Sequence, residues 1–203
     1  MSKPEKTDVV TAEELQRRKK GETPASQLSS REIYAGKIIT LNRDTIRFPD
    51  NTTAEFDIAR HSGASAVVPF LNDPSGEEPQ ILLLRQFRYA AGGYIYEIPA
   101  GRLDEGESPV ECAARELKEE TGCTADRMVP LTSILTTPGF TDEVIHLFMA
   151  TGLKHGEPNR EADEFVDLIV LRLSEALELI QKGTITDSKT ALGILFAAGF
   201  QTG

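Results

Sequence analysis

Apolar and polar residues alternate along residues 37–48 (KIITLNRDTIRF) and 53–61 (TAEFDIARH), with Pro49, Asp50 and Asn51 between the two runs. Period-two alternation on either side of turn formers predicts an antiparallel hairpin. Residues 65–71 (SAVVPFL) and 80–87 (QILLLRQF) are nearly continuous apolar runs bounded by turn residues, the pattern of strands buried on both faces. Further strands are expected at 94–99, 131–136, 144–151 and 165–171. Helical periodicity marks 109–121, 173–182 and 187–198. Strands and helices in this order predict an α/β sandwich with a mixed β-sheet between helical layers, preceded by a small antiparallel β unit.

Composition narrows the function classes. A chain of 203 residues with 39% hydrophobic content can bury one substantial core. The domain reading is a polar N-terminal arm over 1–30, an antiparallel β unit over 31–62 and the main domain over 63–203. Thr11 to Glu14 form a capping box ahead of LQRRKK, so a short helix or an arm is expected there, its basic run being a solvated face. No apolar run is long enough for a membrane span and no leader segment is evident, which points to a cytoplasmic protein. Cys112 and Cys123 are too few for a disulfide framework or a four-ligand zinc site. With 22 basic and 32 acidic residues, the net charge of -10 would repel a nucleic-acid backbone. An anionic small molecule is still admissible, because carboxylates holding a divalent cation reverse the local sign of charge.

The segment 101–123 carries such carboxylates. Ser108 is a helix N-cap, Pro109 suits the first helical position, Glu111 completes a capping box and Gly122 supplies the stop. On a helical wheel Val110, Ala113, Ala114, Leu117 and Thr121 form an apolar stripe, and Glu116, Glu119 and Glu120 form a second one. Like charges three and four residues apart repel, so the arrangement costs stability unless a cation offsets it. Magnesium, which takes oxygen ligands, is suited to that task. Helix geometry alone also allows an ordinary solvent-facing acidic helix.

The full pattern decides between these. In GRLDEGESPVECAARELKEETGC, Gly101 is followed after five residues by Glu107, and after seven more by Arg115, Glu116, Leu117, Glu119, Glu120, Gly122 and the apolar Cys123. A chance match of this kind is on the order of one in 10⁵ or rarer. The segment resembles the Nudix box at every defining position. That resemblance implies a Nudix-type α/β/α sandwich and a loop, helix, loop unit with Mg2+ held by Glu116, Glu120 and the carbonyl of Ala100. Glu119 would be a neighbouring or second-metal ligand and a candidate catalytic carboxylate, and Mn2+ a possible substitute. It also implies that Glu107 and Arg115 pair to hold the loop on the helix, and that Gly101 and Gly122 serve backbone conformations closed to other residues.

Outside the box, YIYEIPAGRLDEGE, Pro138, TTPGFTDEVIHLF and the tail from Glu164 onward are similar to the ADP-ribose pyrophosphatase branch. This implies Mg-dependent hydrolysis of a nucleoside diphosphate sugar, ADP-ribose yielding AMP and ribose 5-phosphate. Arg60, Arg88, Leu103 and Glu143 become candidate substrate contacts, although Arg88 by itself reads equally well as a strand-end surface charge. In READEF, Glu164 is a candidate ligand or general base and Glu161 a second candidate, while Ala162 stands where some relatives have glutamate. The resemblance further implies a homodimer to which the first β unit contributes. Three rivals stay open: another nucleoside diphosphate sugar such as GDP-mannose, a catalytically silent nucleotide-binding module, and an acidic interaction surface.

Overall fold

The computed structural model describes residues 25–156 and 166–199. Most of the expected N-terminal arm and both Glu161 and Glu164 lie outside the described residues.

The expected hairpin is present as β2 (Thr40–Arg47) and β3 (Thr53–Arg60). Asp50 and Asn51 make the turn, Asn51 with φ 67 and the Thr52 N–H on the Asp50 carboxylate at 2.9 Å. A third strand, β1 (Ser26–Ala35), pairs antiparallel with β2. It begins inside the segment read as a polar arm and was not expected as a strand. All ten of its residues are exposed, so no core face imposes an alternation on its sequence.

The main body holds two further sheets. β4 (Ala64–Pro69), β7 (Ala100–Arg102), β8 (Thr124–Leu135) and β9 (Val144–Lys154) form a mixed sheet in the order β7-β4-β9-β8, with β4 and β9 parallel. β5 (Gln80–Arg88), β6 (Gly93–Glu97) and β10 (Val166–Arg172) form an antiparallel sheet in the order β10-β5-β6. The three-residue β7 was too short to show a period.

Strand β4 is buried at every position, and its alternation divides the core between two sides. Val67 packs with Leu82, Phe148, Ala150 and the face of α1 (Pro109–Thr121) that carries Ala113 and Leu117. Ala66 and Val68 face the other way, toward a cluster that includes Ile81, Leu83, Leu147, Leu173 of α2 (Leu173–Gln181) and Ile194 of α3 (Ser188–Gly199). Helices thus cover both faces, which makes the α/β/α sandwich. Among the described residues no helix is long and apolar enough to cross a membrane.

Helix α1 has the expected bounds. The Glu111 carboxylate accepts the Ser108 N–H at 3.0 Å, and Gly122 closes the helix at φ 75 with its N–H on the Lys118 carbonyl at 2.8 Å. Its buried face differs from the expected stripe. Cys112, Ala113, Leu117, Glu120 and Thr121 are buried, whereas Val110 and Ala114 are exposed. The helix is rolled so that part of its acidic edge faces the body of the protein, which is affordable only because those carboxylates have partners there.

Candidate active site

The rolled edge of α1 lies against β7. The Ala100 N–H donates to Glu120 Oε2 at 3.0 Å, and Glu120 is 3% exposed. At Gly101 a Cβ atom would sit 1.7 Å from Glu116 Oε1. This corrects the expected role of Gly101: its φ is not positive, and glycine is needed because a side chain would displace the Glu116 carboxylate. Gly122 does serve a left-handed conformation.

Arg115 ties the loop to the helix. Its Nε and Nη2 grip the two oxygens of Glu107 at 2.8 and 3.0 Å, a bidentate pair. Its Nη1 also bonds Glu116 at 2.6 Å and Glu119 at 3.0 Å, and Nη2 bonds the Arg102 carbonyl at 2.9 Å. The Arg115 guanidinium holds the Glu107 carboxyl well below the usual range, at about 2. Among the described residues no group of three or more His, Cys, Asp or Glu side chains is placed to hold a metal ion. The Arg115 guanidinium lies between Glu116 and Glu119 and bonds both.

The donor set nevertheless fits a hard divalent cation. Glu116, Glu119 and Glu120 offer only oxygens from one helix edge, and Gly101 leaves room for them at the loop. Beside this edge opens a cleft of about 490 Å³, lined in part by Ala100, Gly101, Arg88, Glu143, Asp187 and Lys189. The acidic edge and the cleft therefore share a wall, the strand β7.

The expected substrate contacts divide. Arg88 and Glu143 line the cleft, but Arg60 and Leu103 do not. Arg60 instead pairs with Asp44 and, at 3.0 Å, with Asp142, and so fastens β3 to the loop before β9. The Leu103 N–H bonds the Gly63 carbonyl at 3.1 Å.

Several cleft residues are not among the expected site residues. His61 Nδ1 accepts the Gly63 N–H at 3.0 Å, so its 3.5 Å approach to Glu143 is a contact and not a charge-assisted bond. Thr136 also lines the cleft, and among the described residues its buried hydroxyl has no hydrogen-bond partner. Buried Glu97 pairs with Arg88 Nε at 2.7 Å and with Lys189, whose ammonium lies 3.1 Å from Asp187. YIYEIP reads as a strand and DSKT as a helix start, and both fall in segments similar to the ADP-ribose pyrophosphatase branch, but neither reading singles out Glu97, Asp187 or Lys189. Cys112 touches the carbonyls of Gly101 and Arg102, and burial pushes its thiol up to about 11.

With this geometry in place, comparison with known proteins assigns the family. The model of the NUDIX domain matches residues 61–191. The chain belongs to the Nudix family. Residues 26–58 of this Nudix protein match the nucleoside diphosphate sugar hydrolase N-terminal domain. A methanol dehydrogenase activator from Bacillus methanolicus is 41% identical over 171 residues, covering 83% of this chain and 90% of that protein. An ADP-ribose pyrophosphatase from Bacillus subtilis (strain 168) is 37% identical with the same two coverages, 83% and 90%. A GDP-mannose pyrophosphatase from Cronobacter sakazakii (strain ATCC BAA-894) is 32% identical, covering 79% of this chain and 91% of that protein. The crystal structure of an ADP compounds hydrolase superposes with a TM-score of 0.75 at 18% identity, over 90% of this chain and 96% of that one, and it supports the Nudix fold.

Proposed function

We propose that this Nudix protein is a pyrophosphohydrolase of nucleoside diphosphate sugars that, with Mg2+, cleaves ADP-ribose to AMP and ribose 5-phosphate. One observation carries the reading: three glutamates on one edge of α1 abut, through Ala100 and Gly101, a cleft that contains Arg88 and Glu143. The relatives named as pyrophosphatases support the same chemistry.

Glu116, Glu119, Glu120, the Ala100 carbonyl and Glu164 would hold Mg2+, or Mn2+ in its place. Bound there, the cation would offset charge on the phosphoryl oxygens and lower the pKa of a bound water. The chain's own groups do the rest. The Ala100 N–H fixes the Glu120 carboxylate, and Gly101 leaves the Glu116 carboxylate its place. The Glu107–Arg115 pair keeps the loop on the helix, and Arg88 supplies a cation for the anionic substrate. Proton acceptance from the attacking water falls to Glu164, with Glu161 and Glu119 as the other carboxylates for that role. The protein works in the cytoplasm, with both cysteines free and buried. It acts as a homodimer through the β1–β3 sheet, whose exposed Leu28, Ile33, Tyr34 and Phe56 supply apolar surface for a second copy.

A substrate panel with Mg2+ and with Mn2+, read by product identity, tests this. ADP-ribose should show the highest kcat/KM and give AMP. A preference for GDP-mannose would favour the second reading, which the Cronobacter relative supports. Tight ADP-ribose binding without cleavage would replace both by a binding module.

A further inference from the structure

Arg88 is attached to the protein in an unusual way for a cleft arginine. Among the described residues the one hydrogen bond of its side chain uses Nε, which donates to Glu97 Oε2 at 2.7 Å, and 44% of the side chain is exposed. An arginine beside a carboxylate ordinarily turns to grip both oxygens at once, as Arg115 grips Glu107. Here the second oxygen, Oε1, is taken by the ammonium of Lys189.

Lys189 is itself firmly placed. It sits in the first turn of α3, its side chain is 12% exposed, and its ammonium also lies 3.1 Å from Asp187. Asp187 caps the helix by accepting the Thr190 N–H at 3.0 Å and its hydroxyl at 2.6 Å. Thr190 Oγ1 in turn accepts the Ile98 N–H at 2.9 Å, which joins this turn to the segment leading into β7. Arg88, Asp187 and Lys189 all line the one cleft.

We infer that Lys189 is a positioning residue: by occupying Glu97 Oε1 it prevents Arg88 from closing into a bidentate pair, so that both Nη groups of Arg88 are kept for anionic oxygens of the substrate. The inference rests on the reading of Arg88 as a substrate contact. It differs from a general supporting role because it predicts suppression. Without Lys189, Arg88 rotates onto both oxygens of Glu97 and withdraws its donors. If Glu97 is then changed to glutamine, only one acceptor oxygen is left, and the bidentate state is closed again.

The test compares Lys189→Met, Lys189→Arg, the double variant Glu97→Gln/Lys189→Met and Arg88→Ala. The readouts are kcat and KM for ADP-ribose with Mg2+, and ADP-ribose affinity by calorimetry in EDTA. Lys189→Met should raise KM and weaken metal-free affinity by about tenfold, with kcat within about threefold of the parent. Lys189→Arg, which keeps a cation at Oε1, should restore most of the loss. The double variant should recover to within about threefold of the parent KM. It also leaves no buried unpaired carboxylate, so it reports even where Lys189→Met does not fold. A double variant with a KM raised by tenfold or more overturns the inference, as does an unchanged KM in Lys189→Met while Arg88→Ala raises it. A parent protein that neither binds nor cleaves ADP-ribose overturns the proposed function itself.

Discussion

Two charged clusters flank β7, and they are built on opposite bookkeeping. Around Arg115, one guanidinium is shared by Glu107, Glu116 and Glu119, with Asp104 at 3.8 Å and buried Glu120 close by on the same helix. Around Glu97, two carboxylates, Glu97 and Asp187, meet two cations, Arg88 and Lys189. The second cluster is complete as it stands, and its geometry can be spent on orientation. Among the described residues the first gathers more carboxylates than cations on a partly buried edge, an arrangement that uptake of a divalent cation would stabilise.

The sharpest way to break the contrast is to remove a charge from the surplus cluster without changing its shape. Glu120→Gln keeps an oxygen for the Ala100 N–H but removes the anion. With Mg2+ it should lower kcat by about a thousandfold while Tm moves by no more than about 2 °C. Activity within tenfold of the parent, in a normally folded variant, would mean that Glu120 is not a ligand.

Gly101→Ala should come next in size. It adds a Cβ where the Glu116 carboxylate sits, at 1.7 Å from Oε1, so that side chain must rotate away. Misplacing one ligand by roughly 1 Å should cost about a hundredfold in turnover. Divalent-ion titration by calorimetry should show weaker uptake to match. Unchanged uptake would mean that Glu116 stands outside the metal site.

The two clusters were unequally legible in the sequence. The α1 unit was readable because its signals are local: Ser108, Pro109, Glu111 and Gly122 act within one helix, and Glu107 reaches Arg115 from the adjoining loop. The Glu97–Lys189 pair was not, because its members are 92 positions apart and only the packing of α3 against β6 brings them together. The same difference explains the helix roll. A wheel ranks Val110 and Ala114 as core by hydrophobicity, but it cannot know that Glu120 has the Ala100 N–H waiting for it. Strand β1 was missed for the complementary reason, since a strand exposed at all ten positions obeys no burial period.

A smaller effect separates structure from chemistry inside the first cluster. Arg115→Met leaves Glu107, whose side chain is 14% exposed, without its bidentate partner. The loss should be about 2 kcal/mol, or a fall in Tm of about 4–8 °C by differential scanning calorimetry. Mg2+ should raise Tm more in this variant than in the parent, because it then meets no competing guanidinium between Glu116 and Glu119. An equal Mg2+ shift in both would indicate that Arg115 does not share the cation's place.

The smallest expected effect is on acid stability, and its sign follows from Glu107. Its carboxyl is lowered from 4.5 to about 2, first of all by the hydrogen bond from Arg115. A depressed carboxylate adds stability that is fully present above the unfolded-state value and disappears as pH falls through the folded-state value. The parent should therefore exceed Glu107→Gln in stability at pH 5, and the gap should close as pH falls toward 2. Arg115 is partly open to solvent at 28% exposure, so screening brings the gap at pH 5 down to about 1 kcal/mol. Other lowered carboxyls, such as Asp57 and Asp142, titrate in both proteins and cancel in the difference. A gap that is constant from pH 5 to 2 would mean that Glu107 holds the loop by shape alone, and the charge asymmetry between the clusters would then rest on Glu116, Glu119 and Glu120.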